Sequence, residues 1–183
     1  MASRRRHRPL LGLSGLTLFV CLFLPAVQVC DTSQMPLDRP GSIPPYIYGA
    51  AFVVCAVLGT RRWAIQIAAN LVRLLTLAHI VFAIGMLAAI EPLGVVELLA
   101  AVAVLGTLGV GAHESRLALV PVVVGVGSAV WFAILLATGN ARYGAWLSFA
   151  SSLGVAIAGL LWRHDITAED PAAALPRATA RER

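Results

Sequence analysis

The chain has 183 residues, of which 59% are hydrophobic and 13% charged, with a mean hydropathy of +0.84. A soluble domain carries about 25% charged residues, so too few polar side chains are present here to solvate the outside of a compact core, and a water-soluble globular domain is excluded. The net charge of +5 lies outside the apolar runs, which suits orientation in a bilayer and contact with anionic headgroups rather than nucleic acid.

All 14 basic residues are arginine and none is lysine, a composition expected of a high-GC bacterial genome. Cys21, Cys30 and Cys55 have neither metal-ligand spacing nor the number needed for a disulfide framework. No cofactor, metal or nucleic-acid partner is expected.

The fold class expected is an all-α, polytopic transmembrane bundle of six spans. Each apolar run must hold about 20 residues to cross a hydrocarbon core of ~30 Å at ~1.5 Å per residue. Residues 1–8 form a basic N-terminus, and the first span, 9–30, has no charge until Asp31. It exceeds the apolar core of a signal peptide and no small-x-small cleavage site follows it, so it is read as an uncleaved anchor, bent at Pro25. Residues 31–44, with Pro36, Pro40, Gly41 and Pro44, read as an external loop without helix or strand. The remaining spans are expected over 45–60, 66–90, 92–112, 117–138 and 143–162. Pro121 is tolerated in the first turn of the fifth. Residues 163–183 are read as a flexible polar tail, cytoplasmic like the N-terminus.

Orientation follows from the arginines. With the N-terminus cytoplasmic, the inner side holds Arg4, Arg5, Arg6, Arg8, Arg61, Arg62, Arg116, Arg163, Arg177, Arg181 and Arg183, with Arg73 near that interface, and the outer side keeps Arg39 and Arg142. Cytoplasmic loops carry the arginine excess, so an even number of spans with both termini inside is expected, in a bacterial inner membrane. Trp63 and Trp162 then fall at the inner interface, and Tyr46, Tyr48, Tyr143 and Trp146 at the outer one.

In lipid, small residues mark where helices approach closely. Gly125, Ala129, Ala133 and Ala137 share one face of the fifth span at steps of four, and Ser148, Ser152 and Ala156 one face of the sixth. These are expected to form facing seams of a hairpin with the serines bonding across it. A homodimer face is the alternative.

Polar residues at membrane depth are the functional candidates. Arg62, Gln66, Asn70, Arg73 and Thr76 form one stripe at the start of the third span, either an amphipathic lead-in at the headgroups or the lining of a wet cavity. Glu97 interrupts the fourth span, where an ionised carboxylate costs ~3 kcal/mol unless it is protonated, paired or wetted. His79, near mid-bilayer, is a residue type able to accept or donate a proton near neutrality. If the hairpin turns symmetrically at Glu91 and Pro92, Glu97 lies level with Met86 and His79 sits roughly 10 Å deeper. A direct contact then needs a shifted register or a water.

Enzymatic chemistry is the weakest class. One glutamate and one histidine on separate helices make no metal site, and Ser148, Ser151 and Ser152 have no base beside them. An accessory or scaffold bundle that meets a protein partner is expected first, and a small transporter or channel-like conduit using Glu97 and His79 second.

Overall fold

The computed structural model describes residues 7–29, 32–38, 42–58, 61–109 and 113–169. Cys30, Arg39, the arginines at 4–6 and the last fourteen positions, 170–183, lie outside the described residues.

Helices dominate: α1 (His7–Val20), α2 (Pro44–Leu58), α3 (Arg62–Ala88), α4 (Leu93–Leu108), a short α5 (Glu114–Leu117), α6 (Leu119–Ala137) and α7 (Tyr143–Glu169). Their apolar composition leaves the backbone groups to bond within each helix, as lipid demands. Three helical stretches are long and apolar enough to cross a membrane, Arg62–Ala88, Glu114–Ala137 and Tyr143–Ala168, while His7–Phe23, Pro44–Leu58 and Leu93–Leu108 are shorter. At ~1.5 Å per residue the shorter ones fall below the ~30 Å of a hydrocarbon core.

The elements differ from expectation at several places. The first span does not continue as a bent helix to Cys30. It closes in a 3-10 turn at Cys21–Phe23, and Leu24 turns extended (φ −105, ψ 147), because the ring of Pro25 disfavours the helical conformation in the residue before it. The chain then forms a strand where none was expected: β1 (Val27–Val29) pairs antiparallel with β2 (Thr32–Gln34), Val27 opposite Gln34. This hairpin is docked by main-chain bonds, Gln28 N to Asn140 O at 2.9 Å, Arg142 N to Ala26 O at 2.8 Å and Gly144 N to Pro25 O at 3.0 Å. The expected fifth span is one apolar helical stretch, Glu114–Ala137, divided into α5 and α6 only by a turn residue, Ala118, that keeps helical angles (φ −65, ψ −18); Pro121 cannot donate to the Leu117 carbonyl and its ring crowds it. Finally, α7 continues past Trp162 to Glu169, so the expected tail begins as helix.

α1 with α2, α3 with α4 and α6 with α7 pack as hairpins, and α7 returns against α1 to close the bundle. The α1–α2 crossing rests on two glycines facing each other: a Cβ on Gly15 would lie 2.6 Å from the Gly49 carbonyl, and one on Gly49 2.7 Å from that of Gly15. Arg8 donates to the Ala56 and Val57 carbonyls at the C-terminal end of α2, where carbonyls lack helical partners. Leu11, Phe52, Val72, Leu108, Val120 and Val155 form the main core. Leu18, Cys21, Leu22, Tyr46 and Phe132 form a second cluster towards the β hairpin. Arg8, Arg61, Arg62, Arg116 and Arg163 gather at one end of the bundle; Arg142, beside the β hairpin, is at the other.

The predicted α6–α7 seam is present in part. A Cβ on Gly125 would lie 2.6 Å from Ala156 N and 2.7 Å from the Ser152 carbonyl, and Gly125, Ala129, Ser148, Ser152 and Ala156 are buried, but Ala133 and Ala137 are exposed. The serines do not bond across it. Ser148 Oγ donates to its own helix at Gly144 O (2.7 Å), and Ser152 Oγ to Ser148 O (2.7 Å). The hydroxyl partner of Ser148 on another helix is Tyr46 of α2, 3.3 Å away.

Candidate functional site

The α3–α4 turn decides the site. Ile90 adopts φ 62, and Glu91 N bonds back to the Met86 carbonyl at 3.0 Å, a left-handed helix stop of the kind glycine usually supplies. Beyond it, Gly94 nests against α3. A Cβ there would lie 2.9 Å from both the Ala83 carbonyl and Leu87 N. A symmetric turn would put Gly94 level with Ala89. The absent side chain lets α4 slide about one helical turn, ~5.4 Å, deeper along α3.

That shift overturns the expected 10 Å gap. His79 Nε2 lies 2.7 Å from Glu97 Oε2, with side-chain exposures of 6% and 15%. The contact holds one proton between an imidazole and a carboxyl. When the pair carries an extra proton, imidazolium with carboxylate or imidazole with carboxylic acid is neutral overall, whereas imidazole with carboxylate carries one negative charge; the contact lowers the cost of burying both groups.

The network continues from the other ring nitrogen. His79 Nδ1 is 3.5 Å from Tyr48 Oη. Tyr48 donates to Thr76 Oγ1 at 3.1 Å, and Thr76 donates to the Val72 carbonyl at 2.7 Å. This chain of polar groups runs from Glu97 towards the arginine end of the bundle. Nearer that end, Arg73 donates to Asn70 Oδ1 and to the Gly109 carbonyl, each at 3.3 Å.

Of the predicted stripe, only Thr76 joins the buried network. Arg62, Gln66 and Asn70 are exposed and Arg73 is partly buried. Tyr48, expected at an interface with headgroups, is instead buried and joins the site, and Tyr46 is equally buried. Trp162 is buried too, with its ring stacked on His7 (centroids 5.2 Å, interplanar 3°). Tyr143, Trp146 and Trp63 are exposed.

Several cavities lie near the pair, one of about 210 Å³ touching Tyr48 and His79 but not Glu97. Another, of about 250 Å³, is lined by Tyr48, His79, Glu97, Ser128 and Trp131 among apolar neighbours. A larger one, about 790 Å³, opens beneath the β hairpin and is lined by Gln34, Asp38, Ser42 and Glu91 at its polar side and by Tyr46, Phe82, Trp131 and Phe132 at its apolar side. Trp131 borders the latter two. Sequence reasoning did not single out Trp131 or Ser128, because neither breaks the apolar pattern of α6.

A second His–carboxyl contact, partly buried, ties the start of α1 to α7. His7 Nδ1 is 2.8 Å from Asp165 Oδ2, and Trp162 Nε1 donates to Glu114 Oε1 at 3.0 Å. Both His7 and Asp165 fall in segments read from sequence as solvated ends. Among the described residues, no group of three or more His, Cys, Asp or Glu is placed to hold a metal ion. The chain matches no family model, no curated protein and no solved structure.

Proposed function

We propose that the chain is a six-span protein of a bacterial inner membrane, with both termini in the cytoplasm, that serves as a small proton-linked conduit. The His79–Glu97 pair is its proton-holding element. The observation that carries this reading is the 2.7 Å contact of two titratable side chains at the edge of a cavity. Burying ionisable groups in a membrane is expensive, and those found there mark ion and proton pathways by default. The network through Tyr48 and Thr76 extends one way from the pair, and the larger cavity lies the other way, beyond Trp131. The arginine asymmetry supports the orientation, with that larger cavity facing outside.

The test is proton uptake into sealed vesicles carrying the reconstituted protein and a trapped pH-sensitive dye, driven by an imposed membrane potential. The unaltered chain is expected to pass protons and Glu97→Gln to abolish passage, since the amide cannot give up its proton. Equal uptake by both, or none by the unaltered chain, overturns the reading.

One observation favours a second reading, as an accessory or scaffold subunit: α3 is the least covered of the three long helices, so a partner chain has room to lie against it. Gentle detergent extraction from the native membrane, followed by native mass spectrometry, is then expected to bring a stoichiometric companion. Recovery of the chain alone removes that alternative.

A further inference from the structure

We infer that the 250 Å³ cavity beside Glu97 is a binding site for a small organic cation, taken up in exchange for the proton that His79 and Glu97 share. This names a ligand class for the site proposed above and rests on that reading of the pair.

Size comes first. At about 250 Å³ the cavity lies below the ~300–1,000 Å³ of sites for drug-sized ligands, so its occupant is compact. Its chemistry narrows the choice further. Among the described residues, Glu97 is the one acidic side chain on the wall and no arginine lines it, while Tyr48, Ser128, His79 and the Trp131 indole supply the other polar atoms of side chains. Calcium and magnesium take around six oxygen ligands, and the side chains of Glu97, Tyr48 and Ser128 fall short of that. The rest of the wall, Val96 and Val123 among it, is apolar, and Trp131 contributes an indole. An aromatic ring, a carboxyl and an apolar surround are the features that recognise an ammonium carrying hydrocarbon groups.

Approach fits the same charge. The larger cavity, sharing Trp131, has Asp38 and Glu91 among its lining and no basic residue among the described residues there. Asp38 also accepts from Met35 N at 2.9 Å.

Charge balance sets the exchange. Carrying the extra proton, His79 and Glu97 are neutral together, and adding a cation to that state places a net charge in an apolar site. Release of that proton to water leaves a carboxylate and a neutral imidazole, and the cation restores neutrality. One proton leaves for each cation bound. The groups facing the pair are Tyr48 from α2, Thr76 from its own helix, and Ser128 and Trp131 from α6; Arg73 is engaged nearer the arginine end, at Gly109. None of these facing groups other than Tyr48 is ionisable.

The test uses the full chain in lipid nanodiscs and phenyltrimethylammonium as the probe, with tert-butylbenzene as a neutral molecule of the same shape. Calorimetry in buffers of different ionisation heat counts the protons. Saturable 1:1 binding is expected, with one proton released and affinity rising about tenfold per pH unit while the pair is protonated. Glu97→Gln and Trp131→Leu are each expected to weaken binding about tenfold or more. No saturable binding, equal binding of the neutral molecule, or unchanged affinity in Glu97→Gln overturns the proposal. If that variant does not fold, the unaltered chain still decides: affinity independent of pH with no proton released overturns the exchange. Cation binding without vesicle flux removes the conduit and leaves the site; flux without cation binding does the reverse.

Discussion

Gly125→Ala is expected to destabilise the bundle by about 2–3 kcal/mol, near the upper end for overpacking a close-fitted contact. The new methyl carbon would stand 2.6 Å from Ala156 N and 2.7 Å from the Ser152 carbonyl. Both are backbone atoms of α7 and cannot rotate away, so α6 and α7 must separate along a seam that in lipid is held by close packing rather than by hydrophobic drive. Two residues on, a Cβ on Gly127 meets nothing within 4 Å. There alanine is expected to be neutral or to stabilise by up to ~1 kcal/mol through helix propensity. Unfolding in mixed micelles by titration with dodecyl sulfate, followed by circular dichroism, compares the two. Equal effects at both positions would exclude the tight crossing.

His79→Leu and Glu97→Leu are each expected to cost about 3 kcal/mol, while the double substitution costs clearly less than their sum. Breaking a buried pair strands one ionisable group without its partner, whereas replacing both with apolar side chains of similar volume removes the desolvation cost as well. Glu97 keeps 15% of its side chain exposed at the cavity, which holds the single cost at the low end of the range for buried pairs. A coupling of at least ~1 kcal/mol in the same unfolding assay is expected for groups in direct contact. Strict additivity would mean that the two side chains do not meet.

These two predictions differ in how far the sequence alone reached them. The close approach at Gly125, Ser152 and Ala156 was legible because small residues repeat at the period of the helix. The same rule wrongly extended the seam to Ala133 and Ala137, where the helix face turns outward. The Gly15–Gly49 crossing of α1 with α2 escaped notice, since one glycine on each helix makes no repeat. His79 and Glu97 were recognisable singly, as ionisable residues in apolar runs, but their contact was not.

What composition and periodicity determined by themselves was the material: apolar helices, their approximate extents and the arginine asymmetry of their flanks. They also marked Pro25 as a disturbance of α1, though not that the helix would end there and pair its continuation as a β hairpin. Only the tertiary structure decided which helices touch, at what register, and hence that Glu97 reaches His79, that Tyr48 turns inward to join them, and that His7 meets Asp165. The reason is geometric. A helix carries its own 3.6-residue pattern in sequence, whereas the sliding of one helix along another depends on where a missing side chain, here that of Gly94, lets two backbones come together.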